Sequence, residues 1–239
     1  MALSNRRIRE RERKTNEIID AAQKYFCKKG YDKTTMDEIA FELELTKPAL
    51  YRYFVNKEDL FFAVVHRGNE ILSKMMKKEV ESCDIGLEKI LATGYAFWKF
   101  YDQYHDHCMV MLEARNIYPE CMDAPYFQKI RKHDQDYLGI MCGAIETGKK
   151  DGSIRENIDT FLTALYLAES TIAVLRSSEA TSDVLNLLGV KKAELIKHSL
   201  NLMTLGISQQ PLRKNEKKIS QNDNQKSPND NKKTLNEYL

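Results

Sequence analysis

Apolar residues recur at helical spacing along most of the chain. In the segment 36–43, Met36, Ile39, Ala40 and Leu43 follow the i, i+3, i+4, i+7 spacing that gives a helix one buried face. Further segments of helical character lie near 15–29, 56–80, 87–104, 107–118, 126–149, 160–177 and 191–205. Asn56 is the expected N-cap of 56–80, and Gly30 is expected to end 15–29. The sequence lacks the alternating Val, Ile and Thr runs, bounded by turn residues, that are typical of strands. The pattern therefore predicts an all-α protein.

Two short helices near the N-terminus have clear start signals. Thr35 and Glu38 form a Thr-x-x-Glu capping box, in which the hydroxyl and the carboxylate each accept a free N–H group at the helix start. Thr46 is a good N-cap for the next helix, and Pro48 fits the first turn, where its missing N–H has no acceptor to lose. The segment 34–53 therefore predicts a helix-turn-helix, whose second helix enters the DNA major groove.

The same region resembles the DNA-binding domain of the TetR (tetracycline-repressor-like) family of regulators. The resemblance covers roughly residues 12–65, and its most specific part is the Tyr-x-Tyr-Phe-x-x-Lys-Glu run at 51–58. The other matching positions are Ile18, Ala21, Ala22, Phe26, Gly30, Tyr31, Thr34, Thr35, Met36, Ile39, Ala40, Leu50 and Leu60. The resemblance implies a DNA-binding transcriptional regulator, by family default a repressor, with an N-terminal three-helix domain and a larger C-terminal helical domain for effector binding and dimerisation.

The turn between the two short helices departs from the family pattern. Where the family usually has Gly, this chain has Glu44. A residue with a Cβ in a left-handed turn conformation costs about 1 to 2 kcal/mol. Either the turn relaxes or Glu44 tolerates the strain.

The predicted helix-turn-helix gives individual side chains expected roles. Thr46, Lys47 and Ala49 lie nearest the base edges, where Lys donates to guanine and an Ala methyl contacts a thymine methyl. Hydroxyls, charges and helix-start N–H groups around them offer anchors for phosphate. The predicted DNA-binding residues are Thr34, Thr35, Thr46, Lys47, Pro48, Ala49, Tyr51, Arg52, Tyr53 and Lys57.

Some of these roles have structural alternatives. The resemblance implies that Tyr51 and Lys57 contact the DNA backbone. Tyr53 could instead pack in the core beside Phe54, and Lys57 could merely balance Glu58.

The N-terminus offers a further basic segment. Six basic residues crowd it against Glu10 and Glu12: Arg6, Arg7, Arg9, Arg11, Arg13 and Lys14. This arm either follows phosphates or a minor groove, or is a frayed and solvated extension of the first helix.

The expected domains are a DNA-binding domain at 11–71, an effector-binding and dimerisation domain at 72–208, and a polar tail at 209–239. The tail has too few apolar residues to offset its ordering entropy, so we expect it to be disordered, with a weak DNA attraction or no role. The segments 160–177 and 191–205 have more apolar surface than one face needs. They either form a homodimer interface, which the resemblance also implies, or belong only to the internal core. A homodimer suits a pseudo-palindromic operator in double-stranded DNA.

The middle of the chain is the expected sensor. It is rich in aromatic residues, which either form core or line a cavity for a small-molecule effector. The candidate pocket residues are Trp98, Tyr101, Asp102, Tyr104, Met109, Glu113 and Tyr126. Aromatic faces near Asp102 or Glu113 suit a planar or cationic organic ligand. Effector binding would then move the 56–80 helix and change the separation of the two recognition helices.

Composition excludes several other classes. A net charge of +2 and 30% charged residues fit a globular protein without overall basicity. No apolar run approaches the ~20 residues of a membrane span, and the charged N-terminus has no apolar segment of a secretory signal, so we expect a cytoplasmic protein. Motifs for nucleotide loops, hydrolases and paired-cysteine metal sites are missing, and His105 with Cys108 lacks a third ligand. We therefore expect no enzyme activity, no cofactor and no metal. The alternative to a regulator is a helical protein-interaction module that has lost DNA binding.

Overall fold

The computed structural model describes residues 2–117 and 123–209, and this part of the chain is built from α-helices. They are α1 (Ala2–Lys33), α2 (Met36–Glu42), α3 (Lys47–Tyr51), α4 (Lys57–Glu81), α5 (Gly86–Gln103), α6 (His105–Ala114), α7 (Pro125–Asp151), α8 (Thr160–Leu175), α9 (Glu179–Leu187) and α10 (Lys192–Ile207). The described residues contain no strand, only an isolated antiparallel bridge between Ile154 and Ser208. The predicted all-α class is confirmed.

Helices α1 to α4 enclose the N-terminal core. Ile18 and Phe26 of α1, Ile39 of α2, Leu50 of α3 and Leu60 of α4 are all buried in one cluster. The predicted periodicity of α2 placed Met36, Ile39 and Ala40 inward, and all three are buried as expected. Helix α1 is much longer than the predicted 15–29 segment, and its helical geometry breaks at Gly30, where φ is 78°. The sequence predicted the helix from residue 15 and its end at Gly30, but not the helical residues before 15.

Helix α4 connects this core to the rest of the molecule. Asn56 is its N-cap, with its side-chain oxygen accepting the N–H of Asp59 at 2.7 Å, as the sequence predicted. The helix then packs along α5, α6 and α7. The N-terminal core also takes in Val110 of α6 and Ile130 of α7, so it is continuous with the later helices. The division at 71/72 stays a prediction.

The C-terminal helices form two further cores. One brings α4, α5 and α6 together with α8 and α10 around Phe100, and the other brings α5, α7, α8 and α10 together around Ile145 and Ile154. Helix α9, capped by Ser178, was not predicted. The expected tail at 209–239 lies outside the described residues except for Gln209.

Candidate nucleic-acid interface and effector cavity

The turn between α2 and α3 is fixed by caps and by one strained residue. The hydroxyl of Thr35 accepts the N–H of Glu38 at 3.3 Å, and the Glu38 carboxylate accepts the N–H of Thr35 at 3.0 Å. This confirms the predicted capping box. Glu44 adopts φ 54°, in the left-handed region, so the turn keeps its shape in spite of the Cβ. The N–H of Leu45 then returns to the carbonyl of Ala40 at 2.9 Å.

Helix α3 has one buried side and one open side. Leu50 and the following Phe54 point into the N-terminal core. The open side is made of Thr46, Lys47, Pro48, Tyr51 and Arg52, which are exposed, with Ala49 partly covered. Thr46 caps the helix by accepting the N–H of Ala49. The structure therefore brings together six of the predicted DNA-contacting residues on one accessible surface.

Lys47 is not free on this surface. Its Nζ donates to the Asp37 carboxylate of α2 at 2.8 Å, and both side chains are largely accessible to solvent. This hydrogen bond and the negative charge of Asp37 raise the pKa of Lys47, so the ammonium stays charged. Asp37 therefore holds the positive group at the N-terminal end of α3.

Thr34 is not available to a phosphate, contrary to the sequence-based expectation. It is 0% exposed, and its hydroxyl donates to the carbonyls of Tyr25 and Gly30. Its role is to join the end of α1 to the start of α2. Thr35, which follows it, is exposed.

Lys57 and Tyr53 have partners within the protein. The Nζ of Lys57 donates to the Tyr31 carbonyl at 2.9 Å and lies 4.2 Å from the centre of the Tyr31 ring. Lys57 therefore does more than balance the charge of Glu58. Tyr53 is half-buried, with the Arg11 guanidinium 5.7 Å from the centre of its ring. Both stay accessible enough to contact DNA, but both also fasten neighbouring segments.

An apolar cavity of about 200 Å³ lies between α4, α5, α6, α7 and α8. Its lining is mainly apolar, with Asn69, Ser73, Arg115 and Tyr137 as the polar side chains. Arg115 also forms an ion pair with Glu169 of α8. Among the described lining residues there is no carboxylate, so the cavity does not favour the cationic ligand expected from Asp102 or Glu113.

None of the seven candidate pocket residues lines this cavity. Asp102 and Tyr104 are exposed, Trp98 and Met109 lie at the edge of a core, and Tyr101 accepts a hydrogen bond from Lys192. The backbone N–H of Tyr126 donates to Asp59, and its ring lies against Phe54 and His66. Glu113 bonds to the N-terminal domain, as described below.

The difference between the candidate residues and the lining residues follows from the rotation of α6 about its axis. Cys108, Met111, Leu112 and Arg115 line the cavity at i, i+3, i+4 and i+7. Met109 and Glu113 each follow a lining residue and are therefore turned away by about 100°. The spacing of the lining residues was the signal that could have found them.

The opposite side of α6 contacts helix α1. The Glu113 carboxylate accepts a hydrogen bond of 2.7 Å from the N–H of Tyr31, the residue after the break at Gly30. The Asp106 carboxylate accepts a hydrogen bond of 3.4 Å from the thiol of Cys27. Burial and the Asp106 carboxylate raise the pKa of Cys27 to about 11, which keeps the thiol protonated as a donor. Burial lowers the pKa of His107 on the same helix. Helix α6 thus touches the cavity on one side and α1 on the other.

Helices α8 and α10 present apolar side chains to solvent. The exposed residues are Phe161, Leu162, Leu165, Tyr166, Leu202 and Leu205. Other members of the predicted interface, such as Ile172, Leu175, Ile196 and Leu200, are buried within the subunit. The two helices therefore serve the internal core with one side and leave the other uncovered.

The structure describes no group of three or more potential metal ligands in residues 2–117 and 123–209. None of the helices in these ranges is long and apolar enough to cross a membrane.

Comparison with known proteins identifies the N-terminal domain. Residues 18–64 match the model of the bacterial regulatory proteins of the tetR family. The HTH-type transcriptional regulator YhgD of Bacillus subtilis is 28% identical over 170 residues, which cover 66% of this chain and 80% of that protein. The HTH-type transcriptional repressor KstR2 of Mycolicibacterium smegmatis is 23% identical over 164 residues, covering 67% and 77% respectively.

A solved structure shares the fold over most of the chain. The transcriptional regulator FadR from Bacillus subtilis, in complex with stearoyl-CoA, superposes with a TM-score of 0.65 at 24% identity, covering 80% of this chain and 98% of that one. The likeness thus extends beyond the helix-turn-helix to the helices that surround the cavity. This chain carries the DNA-binding domain of the tetR family and is a DNA-binding transcriptional regulator.

Proposed function

We propose that the protein is a homodimeric repressor that a small effector releases from a pseudo-palindromic operator. The observation that carries the proposal is the open side of α3, where Thr46, Lys47 and Tyr51 are accessible while Leu50 and Phe54 fix the helix from behind. Repression is supported by the relative named as a transcriptional repressor. A regulator of transcription works where the DNA is, in the cytoplasm.

The open side of α3 divides into two kinds of contact. Thr46, Lys47 and Ala49, at the N-terminal end, are placed to reach base edges and would set sequence preference. Tyr51 and Arg52, further along, would bind phosphates and set the register. Pro48 has no polar side-chain atom to offer, so its contribution is to start the helix.

A second subunit is needed for gene-level specificity. One helix-turn-helix contacts about half a turn of duplex, and a few base contacts of about 1 to 3 kcal/mol each do not single out one site in a genome. The uncovered apolar side of α8 and α10 gives a surface for two-fold pairing. A symmetric dimer places two α3 helices on successive half-sites.

The cavity supports an effector with a short apolar chain. Its volume of about 200 Å³ is below the about 300 to 1,000 Å³ that is typical of small-molecule pockets. Acyl-CoA is the first class to test, because the structurally similar FadR was solved with stearoyl-CoA. The volume favours chains much shorter than stearoyl, and the cationic Arg115 suits a ligand with an anionic or carbonyl head.

Helix α6 is the proposed connection between effector and DNA. A ligand that pushes on Met111 or Leu112 displaces the helix whose other side holds Tyr31 through Glu113. Tyr31 is also held by Lys57, the first residue of α4. A shift of α6 therefore reorients α1 and α4 together and changes the separation of the two α3 helices. The ligand then lowers the affinity for DNA, and DNA lowers the affinity for the ligand by the same factor.

The experiment uses the full chain and a duplex that it selects from a random-sequence library. Binding is followed by fluorescence anisotropy while butyryl-CoA, octanoyl-CoA or stearoyl-CoA is added, with coenzyme A alone as the control. We expect octanoyl-CoA to release the duplex at lower concentration than stearoyl-CoA, and coenzyme A to have no effect.

Two results would overturn parts of the proposal. If calorimetry shows octanoyl-CoA binding while the operator affinity stays the same, release by this effector is wrong. If none of the three thioesters binds, the effector class is wrong although the DNA-binding role stands.

A further inference from the structure

The first three turns of α1 extend beyond the N-terminal core. The helix begins at Ala2, but its first buried residue is Ile18, and residues 5–13 are all exposed. Residues 5–14 carry six basic and two acidic side chains, which gives this segment a charge of +4. We call residues 5–14 the N-terminal extension. It continues α1 as a helix.

Arg11 fastens the N-terminal extension to the end of the recognition helix. Its guanidinium donates to the carbonyl of Arg52, the C-cap residue of α3, at 3.2 Å. The same guanidinium lies 5.7 Å from the centre of the Tyr53 ring. These contacts bring the extension beside the surface that carries Tyr51 and Arg52.

The basic residues of the extension fall on two sides of the helix. At 100° per residue, Arg7 and Lys14 lie within about 60° of Arg11, on the side that continues the buried face of Ile18. Arg6, Arg9 and Arg13 lie on the opposite side. We call the side of Arg7, Arg11 and Lys14 the inner side, and the other the outer side.

Three of the six basic residues are paired with carboxylates. On the outer side, Arg6 pairs with Glu10 at 3.7 Å and Arg13 with Glu17 at 3.6 Å, while Arg9 donates to the Asn5 carbonyl. On the inner side, Lys14 pairs with Glu17 at 3.0 Å, whereas Arg7, one helical turn before Arg11, has no ion-pair partner among the described residues. Since one turn advances about 5.4 Å, Arg7 lies about that far along the helix from Arg11 and its contact with the end of α3.

We propose that the inner side of the N-terminal extension is a second DNA-contacting surface, in which Arg7 binds backbone phosphate and Arg11 positions it. The proposal rests on α3 being the helix that enters the major groove. A phosphate backbone fits this surface because the binding groups are cationic and project from a rigid helix at one-turn spacing. A membrane surface fits poorly, because Ile8 is the sole apolar side chain in residues 5–14, whereas an interfacial helix needs a broad apolar face.

The test compares three single-charge variants of the full chain. Arg7→Gln changes the inner side, while Arg6→Gln and Arg13→Gln remove the same charge from the outer side. Anisotropy is measured with a duplex selected by the wild-type protein and with a random duplex of equal length, each over a series of KCl concentrations. Circular dichroism checks that the exposed substitutions leave the fold unchanged.

The expected result is specific to Arg7. The slope of log affinity against log salt should fall by about 0.9 for each phosphate contact removed, so by about 1.8 for a dimer that loses two. The affinity for both duplexes should fall by the same factor, since a phosphate contact carries no sequence information. Arg11→Gln should reproduce the change, and Arg11→Lys should restore part of it.

Several outcomes would overturn the proposal. Equal losses for Arg7→Gln and Arg6→Gln would show that only total charge matters. An unchanged slope for Arg7→Gln would show that Arg7 does not bind phosphate and that the extension contacts another partner, such as an acidic protein. If the wild-type chain binds neither duplex, the operator-binding role fails first, and that result differs from a loss confined to one variant.

Discussion

At the residue scale, Lys47 is held by a carboxylate of its own domain before DNA arrives. Exposed ion pairs of this kind contribute little to stability, so Asp37 orients the ammonium without preventing its transfer to a guanine. Lys47→Ala should weaken binding of a selected operator by about 1 to 3 kcal/mol and relax the preference at one base pair of each half-site. Competition with duplexes carrying single base changes measures both effects. Tyr51→Phe, by contrast, should weaken all duplexes equally, and an unchanged base preference in Lys47→Ala would contradict base reading by Lys47.

Glu44 offers a test of backbone strain in the turn. Its φ of 54° is favourable for Gly and unfavourable for a residue with a Cβ. Glu44→Gly should therefore raise the free energy of unfolding by up to about 1 kcal/mol, after the greater flexibility of Gly in the unfolded chain is subtracted. Urea unfolding followed by circular dichroism measures the difference. Glu42→Gly, two residues earlier in helical backbone, should lower the stability instead, and the same sign for both variants would contradict the argument.

Local signals predicted the residue-scale features that depend on near neighbours. The Thr35–Glu38 capping box and the Asn56 cap were found because both partners lie within one helical turn. Thr34 was misplaced because its burial follows from the packing of α1 against α2, and its hydrogen bond to the Tyr25 carbonyl spans nine residues. The contact of Arg11 with Arg52 spans 41 residues and has no local signature.

At the element scale, α6 lies between the cavity and the N-terminal domain. The bond from the Tyr31 N–H to Glu113 is charge-assisted and therefore about twice as strong as a neutral one. Glu113→Gln should weaken it, which predicts faster amide exchange for the segment after Gly30. In the same variant, the ratio of operator affinities with and without a bound acyl-CoA should move towards one.

The matched control is Asp102→Asn on α5, which removes an exposed carboxylate from the same part of the molecule. It should change neither the amide exchange nor the ratio. A Glu113→Gln protein that still releases DNA as fully as the wild type would show that coupling runs through other contacts of α4.

The positions of the helices along the chain were predictable, but the rotation of each helix about its own axis was not. Periodicity located α2, α4, α5, α7, α8 and α10 to within a few residues, because each has a long or well-capped apolar face. Helix α9 was missed because it is short and its large apolar residues, such as Leu187, are exposed. The aromatic segment of α5 pointed to a sensor, yet Trp98 and Tyr101 turn away from the cavity that Phe97 lines. Which of several aromatic faces meets a cavity depends on the neighbouring helices.

At the scale of the whole molecule, the described subunit leaves an apolar surface on α8 and α10 uncovered and has one recognition helix. Leu162 of α8 is 63% exposed and Leu202 of α10 is 55% exposed, and both line the groove between these two helices. Large exposed apolar patches on a protein mark interaction sites. A two-fold pairing through α8 and α10 covers this surface and supplies the second α3 in the same step.

The pairing can be broken without disturbing the subunit. Leu162→Glu combined with Leu202→Glu places four like charges at a symmetric interface, whereas in a lone subunit both positions already face water. We expect the double variant to sediment as a monomer with unchanged helicity. Its affinity for the operator should fall to its affinity for a random duplex, because a monomer contacts only one half-site. Leu187→Glu on α9, where the leucine is 86% exposed, is the control and should remain dimeric and bind normally. If Leu187→Glu dissociates while the double variant does not, the subunits pair through α9 instead, and the spacing of the two recognition helices must be derived from that arrangement.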